Sequence, residues 1–174
     1  MSNLLIRPFV EADWKWMDLQ ALRLSPENVK EVGMFTYICL EANKPVGFAL
    51  GRRDMGRSPK ATESTCVLFL IRSLIAGRWD IFLALMERHA QNGIDTGHTH
   101  AQARVPLTGQ CTNVAGTTAL TGELATRFGL RWRDVGRDVG GQVSEKQMEF
   151  APLVPLRAAL KTRLDALGCV RTWR

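Results

Sequence analysis

The order of sequence elements predicts an α+β (mixed α/β) domain built on a central sheet. Short strand-like apolar runs form a meander in the first half of the chain, and an amphipathic helical stretch then separates two further strand-like runs, as in a β-α-β unit. The chain has 174 residues, 45% of them hydrophobic and 23% charged, the balance of one soluble globular domain. A chain of this length buries roughly two thirds of its unfolded surface, so it needs neither metal nor disulfide to fold.

Leu4 to Pro8 reads as a short strand. A helix opening near Glu11 and Asp13 follows, with Trp14, Met17 and Ala21 at helical spacing. Ser25-Pro26-Glu27 starts a second short helix, Ser as the cap and Pro just inside it. Phe35 to Glu41 and Val46 to Gly51 are strands joined by the hairpin signal Ala42-Asn43-Lys44-Pro45. A basic loop over 51–60 leads to the strand Thr65 to Ile71. The helix expected from Arg78 to Asn92 places Trp79, Phe82, Leu83, Met86 and Ala90 on one face, with Asn92-Gly93 as its C-cap.

A strand is expected over Thr96 to Val105, putting His98 and His100 on one face. Residues 106–116 read as loop and Ala119 to Phe128 as a helix closed by Gly129. Leu130 to Val135 and Gln142 to Phe150 are strands around a turn at Gly136 to Gly141. Residues 153–168 form an amphipathic helix with a seam of Leu153, Leu156, Leu160, Leu164 and Leu167, capped by Gly168 before a short tail.

Charge is unevenly placed. The formal net charge is +6, and 17 of the 23 cations are Arg, which favours forked contacts to phosphate or carboxylate. Arg52, Arg53, Arg57 and Lys60 against Asp54 give residues 51–60 a net +3. Arg157, Lys161, Arg163, Arg171 and Arg174 against Asp165 give residues 153–174 a net +4, so the rest of the chain nets −1. The basicity belongs to one loop and one tail.

The longest strongly apolar run, Cys66 to Ile71, is far short of the roughly 20 residues a membrane-spanning helix needs. Arg7, Glu11 and Asp13 interrupt the first apolar stretch, unlike a signal peptide. Cys39, Cys66, Cys111 and Cys169 are widely separated and form no CxxC pair, which fits free thiols in a reducing compartment. No GxSxG, HExxH or GxxxxGK[ST] motif occurs.

The element order resembles the GNAT superfamily of acyl-CoA N-acyltransferases. LLIRPFVEADW (4–14) is similar to that family's first strand and helix, and YICLEANKPVGFALG (37–51) to its second and third strands. TCVLFLIRSLIAGRWDIFLALMERHAQNGI (65–94) resembles strand four, the cofactor loop and helix three. TALTGELATRFGLRWRDVG (118–136) resembles the last helix and the following strand. The resemblance implies a central, mostly antiparallel sheet flanked by helices over residues 1–152, with the helix and basic tail at 153–174 as an extension of the same domain.

It also implies acetyl-CoA or another acyl-CoA as acyl donor, a small or protein amine as acceptor, and no metal. The family's R/Q-x-x-G-x-G/A loop cradles the CoA pyrophosphate with backbone N–H groups at a helix start. By position its counterpart is Leu70, Ile71, Arg72, Ser73, Leu74, Ile75, Ala76, Gly77 and Arg78. This run has one Gly and a branched Ile75 in the turn; Arg72 and Arg78 either pair with phosphates through their side chains or are the solvated ends of a strand and a helix. Ala125 stands where many members place a proton-donating Tyr, and Thr118 near a frequent Asn. Glu63 stands where some members place a catalytic carboxylate, or is a solvated loop residue. His98 and His100 are either a metal or base pair or a polar strand face.

Two functional readings follow. One is direct transfer of an acyl group from acyl-CoA to a primary amine by a cytoplasmic enzyme. The alternative is a catalytically inactive GNAT-fold structural or assembly protein, similar to small internal virion proteins of short-tailed phages and located inside the virus particle. In that reading the leucine seam of 153–174 docks on a protein partner or a second copy instead of its own sheet. A nucleic-acid or membrane partner is not expected.

Overall fold

The computed structural model describes residues 2–16, 34–54, 65–75, 77–106, 131–137, 140–141, 143–148 and 151–174. β1 (Asn3–Pro8) leads into a 3-10 helix over Glu11–Trp16. Asp13 organises this turn. Its carboxylate accepts the Val10 N–H at 2.8 Å, half of a capping box, and a forked pair from Arg7 at 2.6 and 2.9 Å. The expected continuation of this helix through Met17 and Ala21, and the second helix at Ser25, lie outside the described residues.

β2 (Met34–Glu41) and β3 (Lys44–Asp54) form a hairpin whose turn is shorter than the four residues read from sequence. Only Ala42 and Asn43 turn, at φ 48° and 63°, the positive pair that a two-residue hairpin loop needs. Pro45 is tolerated inside β3 because β3 meets its other neighbour, β4 (Thr65–Ser73), only from Gly47 onward. Arg52 and Arg53 belong to β3, so the basic segment begins as a strand; residues 55–60 lie outside the described residues.

α1 (Trp79–Asp95) runs three residues past the expected stop. Gly93 is buried inside the helix, and the chain turns at Gly97 instead, where φ is 79°. The Gly97 N–H donates to Ile94 O at 3.0 Å and the His98 N–H to Gly93 O at 2.8 Å, a Schellman ending that favours Gly at this position. β5 (His100–Pro106) therefore starts later than the sequence pattern suggests, and His98 precedes it. β6 (Trp132–Arg137), β7 (Val143–Met148), the two-residue β8 (Ala151–Pro152), α2 (Leu153–Ala166) and β9 (Val170–Trp173) complete the described elements.

These strands make one nine-stranded sheet in the order β6-β7-β5-β4-β3-β2-β1-β9, with β8 beside β5. All neighbours are antiparallel except β4 with β5 and β1 with β9. Leu4, Ile6, Tyr37, Cys39 and Ala49 form one core cluster with Ile81, Leu85 and Ala90 of α1 and Leu153, Leu156, Leu160 and Leu164 of α2. Fully burying each leucine contributes about 1.5–3 kcal/mol. Cys39 and Cys169 are free and buried, and burial pushes the Cys39 thiol up to about 12.

The tail is a correction to the sequence expectation. Residues 170–173 are the edge strand of the sheet, parallel to β1 with Asn3 opposite Val170 and Ile6 opposite Trp173. Trp173, expected to be exposed, packs against the core cluster. Four leucines of the α2 seam are buried in their own chain; Leu167 alone of the five is exposed. Arg171 is held between Glu87 of α1, itself 1% exposed, and Asp165 of α2.

Candidate functional site

β4 and β5 pair from Thr65 opposite His100 to Leu68 opposite Ala103, then part. β4 continues through Phe69 to Ser73 against β3, while Arg104 to Pro106 of β5 pair with β7. The cause is local. On the β3 side the register passes from Leu50–Leu70 to Gly51–Leu68, leaving Phe69 as an extra residue. A bulge bends its strand and increases its twist, and this one sits immediately after the last β5 partner. From Phe69 to Ser73, the β5-facing edge of β4 has no strand partner among the described residues. Its backbone donors and acceptors are open to pairing with an added strand-like partner. The opening lies at the carboxyl ends of two parallel strands, the usual ligand position in sheets containing β-α-β units.

The expected cofactor loop follows directly. Leu70 to Ser73 are the last residues of β4, Ala76 lies outside the described residues, and Gly77 carries φ 75°, a conformation that favours glycine. The Leu74 N–H donates to Val46 O at 2.8 Å, tying the loop to β3. Ser73 Oγ donates to Ile75 O at 2.7 Å and accepts the Ile75 N–H at 3.2 Å. Leu74, Ile75 and Trp79 are exposed, an apolar rim beside the opening.

The start of α1 differs from a bare phosphate cradle. The Arg78 and Trp79 N–H groups donate to Ile75 O and Gly77 O at 3.4 and 3.1 Å, and the Ile81 N–H faces the Asp80 carboxylate. Three of the four amides that a helix start leaves open are therefore engaged. The Arg78 guanidinium grips two carboxylates: Nε and Nη2 donate to Asp80 at 2.8 Å each, and Nη1 and Nη2 to Glu41 at 3.1 and 3.0 Å. Arg78 hydrogen bonds hold both acids below the usual carboxylate range, and the two acids push the Arg78 pKa up. An anion arriving at this helix start meets one guanidinium already neutralised by two carboxylates.

Glu63, Thr118 and Ala125 lie outside the described residues, and Arg72 sits in β4 opposite Phe48. Tyr37 is buried in β2 at 3% exposure. His98 and His100 do not share a strand face: His98 Nδ1 lies 2.9 Å from Thr96 Oγ1 before β5 begins, and His100 Nδ1 2.9 Å from Thr99 Oγ1. Among the described residues no cluster of three or more His, Cys, Asp or Glu is placed to hold a metal, and no helix is long and apolar enough to cross a membrane. Sequence reasoning missed Glu41, Asp80 and the Phe69 bulge. The bulge lies in an unbroken apolar run with no period to interrupt, and Glu41 reaches Arg78 across 37 positions.

The fold matches solved structures. The ribosomal-protein-S18-alanine N-acetyltransferase of Escherichia coli superposes with a TM-score of 0.56 at 14% identity, covering 86% of this chain and 94% of that one. An N-acetyltransferase from Staphylococcus aureus Mu50 gives 0.59 at 14% identity over 87% and 99% of the two chains. A GNAT-family acetyltransferase from Elizabethkingia anophelis with acetyl-CoA bound gives 0.58 at 12% identity over 87% and 99%. This chain has the GNAT fold. No protein-family model and no curated protein matches the sequence. At these identities the likeness establishes the GNAT fold alone.

Proposed function

We propose that this GNAT-fold chain is an N-acyltransferase that moves an acyl group from acyl-CoA directly to a primary amine. The observation that carries the reading is the opening of β4 from β5 at the Phe69 bulge, with α1 starting a short loop later. An extended ligand bearing amide groups fits this unpaired strand edge, as the pantetheine arm of CoA does.

The fit has two parts. Leu70, Ile71, Arg72 and Ser73 would hold the amide-bearing arm along the strand edge. Leu74, Ile75, Ala76, Gly77 and Arg78 would bracket the phosphates, with the Asp80 N–H the helix-start amide left for them. Arg78 acts here as a positioning residue, fixing the loop to the β2–β3 turn through Glu41. Bound acyl-CoA supplies an activated carbonyl; the chain supplies orientation along the strand edge.

An amine must be neutral to attack, and Glu63 is the carboxylate proposed to take its proton. With Ala125 at the position of the family's proton-donating Tyr, no side chain of that position assists the departing thiolate. A missing general acid costs about 10²–10⁴ in rate, so slow turnover is expected. The acceptor is a small amine or a protein amine. Release of free thiol from acetyl-CoA tests the reading: an amine-dependent rate that falls at least tenfold in Glu63→Gln supports it. A rate equal to the protein-free control with every amine tried would refute it.

A further inference from the structure

A second cluster lies on the helical face of the sheet, where α1, α2 and β9 meet. The Arg88 guanidinium lies 5.3 Å from the Tyr37 ring centre and 5.4 Å from that of Trp173. Arg157 approaches the same Trp173 ring at 5.9 Å. Two like charges thus converge on one indole. Ring faces attract both cations, but an aromatic face is a weak hydrogen-bond acceptor.

Four buried nitrogens of this cluster have no acceptor among the described residues. Among the described residues, Arg88 Nε, Arg157 Nε and Trp173 Nε1 are buried without a hydrogen-bond partner, and so is Nδ2 of Asn92, one helical turn beyond Arg88. The acids of the surrounding elements are engaged elsewhere: Glu87 and Asp165 by Arg171, Asp165 also by Lys161, and Asp95 by Gln91. Among the described residues no carboxylate pairs with Arg88 or Arg157. Buried donors left unmade carry a desolvation penalty that one multi-acceptor anion would remove.

We propose that Arg88, Arg157 and Trp173 form a binding site for a small oxyanion of phosphate size and double negative charge. Two guanidiniums match a dianion, and the indole N–H adds a third donor from β9. Arg88 lies nine residues along α1 from Trp79, so this site is about 14 Å from the helix start at 1.5 Å per residue. It is separate from the proposed acyl-donor loop and does not depend on that reading.

Titration calorimetry of the full chain with inorganic phosphate, at constant ionic strength, tests the site. One site with millimolar or tighter affinity is expected, weakened at least tenfold in Arg157→Gln and in Arg88→Gln. Arg157→Lys, which keeps charge but loses the fork, should weaken it less and guards against misfolding of the Gln variant. Acetate should bind more weakly than phosphate. The proposal is overturned by no phosphate binding at about 20 mM, by equal affinity for acetate, or by affinity unchanged in folded Arg157 variants.

Discussion

Arg78 and Asp80, two residues apart at the start of α1, form a forked ion pair in which Nε and Nη2 each lie 2.8 Å from a carboxylate oxygen. The pair places a negative group at the helix end that would otherwise attract an anion. Replacing Asp80 with Asn removes that charge and frees half of the Arg78 fork. One unit of charge at this range is worth about 1–3 kcal/mol near a protein surface. Calorimetry should therefore show Asp80→Asn binding acetyl-CoA roughly tenfold tighter than the parent. Equal or weaker binding would mean that the helix start does not face the phosphates.

The Arg171–Glu87 pair ties β9 to α1, with side chains 9% and 1% exposed. Removing one partner of a buried pair leaves an uncompensated charge and costs about 3–5 kcal/mol. Urea denaturation of Arg171→Met should show a loss of this size. The double variant Arg171→Met with Glu87→Gln should recover part of it, because the stranded charge is gone.

The tail makes a separate prediction about assembly. Because β9 pairs with β1 and Cys169 sits in the core, deleting residues 168–174 should lower the melting temperature and expose the β1 edge. In the parent chain the Val170 amide, which donates to Ser2 O at 2.9 Å, and the Arg174 amide, which donates to Ile6 O at 3.0 Å, should be protected from hydrogen exchange. Full exchange of both within seconds, with an unchanged melting temperature on deletion, would show that the tail is not part of the sheet.

How much of this was legible follows from the range of each signal. The β2–β3 hairpin, α1 and the leucine face of α2 appeared because their patterns are local and periodic. The stop of α1 was misplaced because Gly93 looks like a cap, while its real use is inside the helix against neighbouring elements; Gly97 supplies the positive φ. The tail read as an appendage because four residues are too short to display alternation, and its partner β1 lies at the other end of the chain. In the candidate site, the loop position was visible by resemblance. The Arg78 clamp was not, since Glu41 is brought to it only by the sheet.

A pH effect should arise from His89, 2% exposed in α1. Burial, with repulsion from His98, holds its pKa at about 4, against 6.5 when free. The fold keeps His89 neutral, so the associated stability is complete above pH 6.5 and lost as the unfolded chain takes up a proton toward pH 4. A shift of this size corresponds to roughly 3 kcal/mol. The depressed carboxylates Asp13, Glu41 and Asp80 act in a different window, below their ordinary values of 3.8 and 4.5. Denaturant melts at pH 7 and pH 4.5 should show this loss in the parent chain and a clearly smaller one in His89→Gln. An equal loss in both would assign it elsewhere.

The central claim is that acyl-CoA occupies the opening between β4 and β5. Titration calorimetry of the full chain with acetyl-CoA tests it most directly. The account predicts binding in the micromolar range, weakened at least tenfold by Gly77→Glu, which adds a side chain and a negative charge to the loop where φ is 75°. No detectable binding at millimolar acetyl-CoA, or binding that a folded Gly77→Glu chain retains in full, would contradict it.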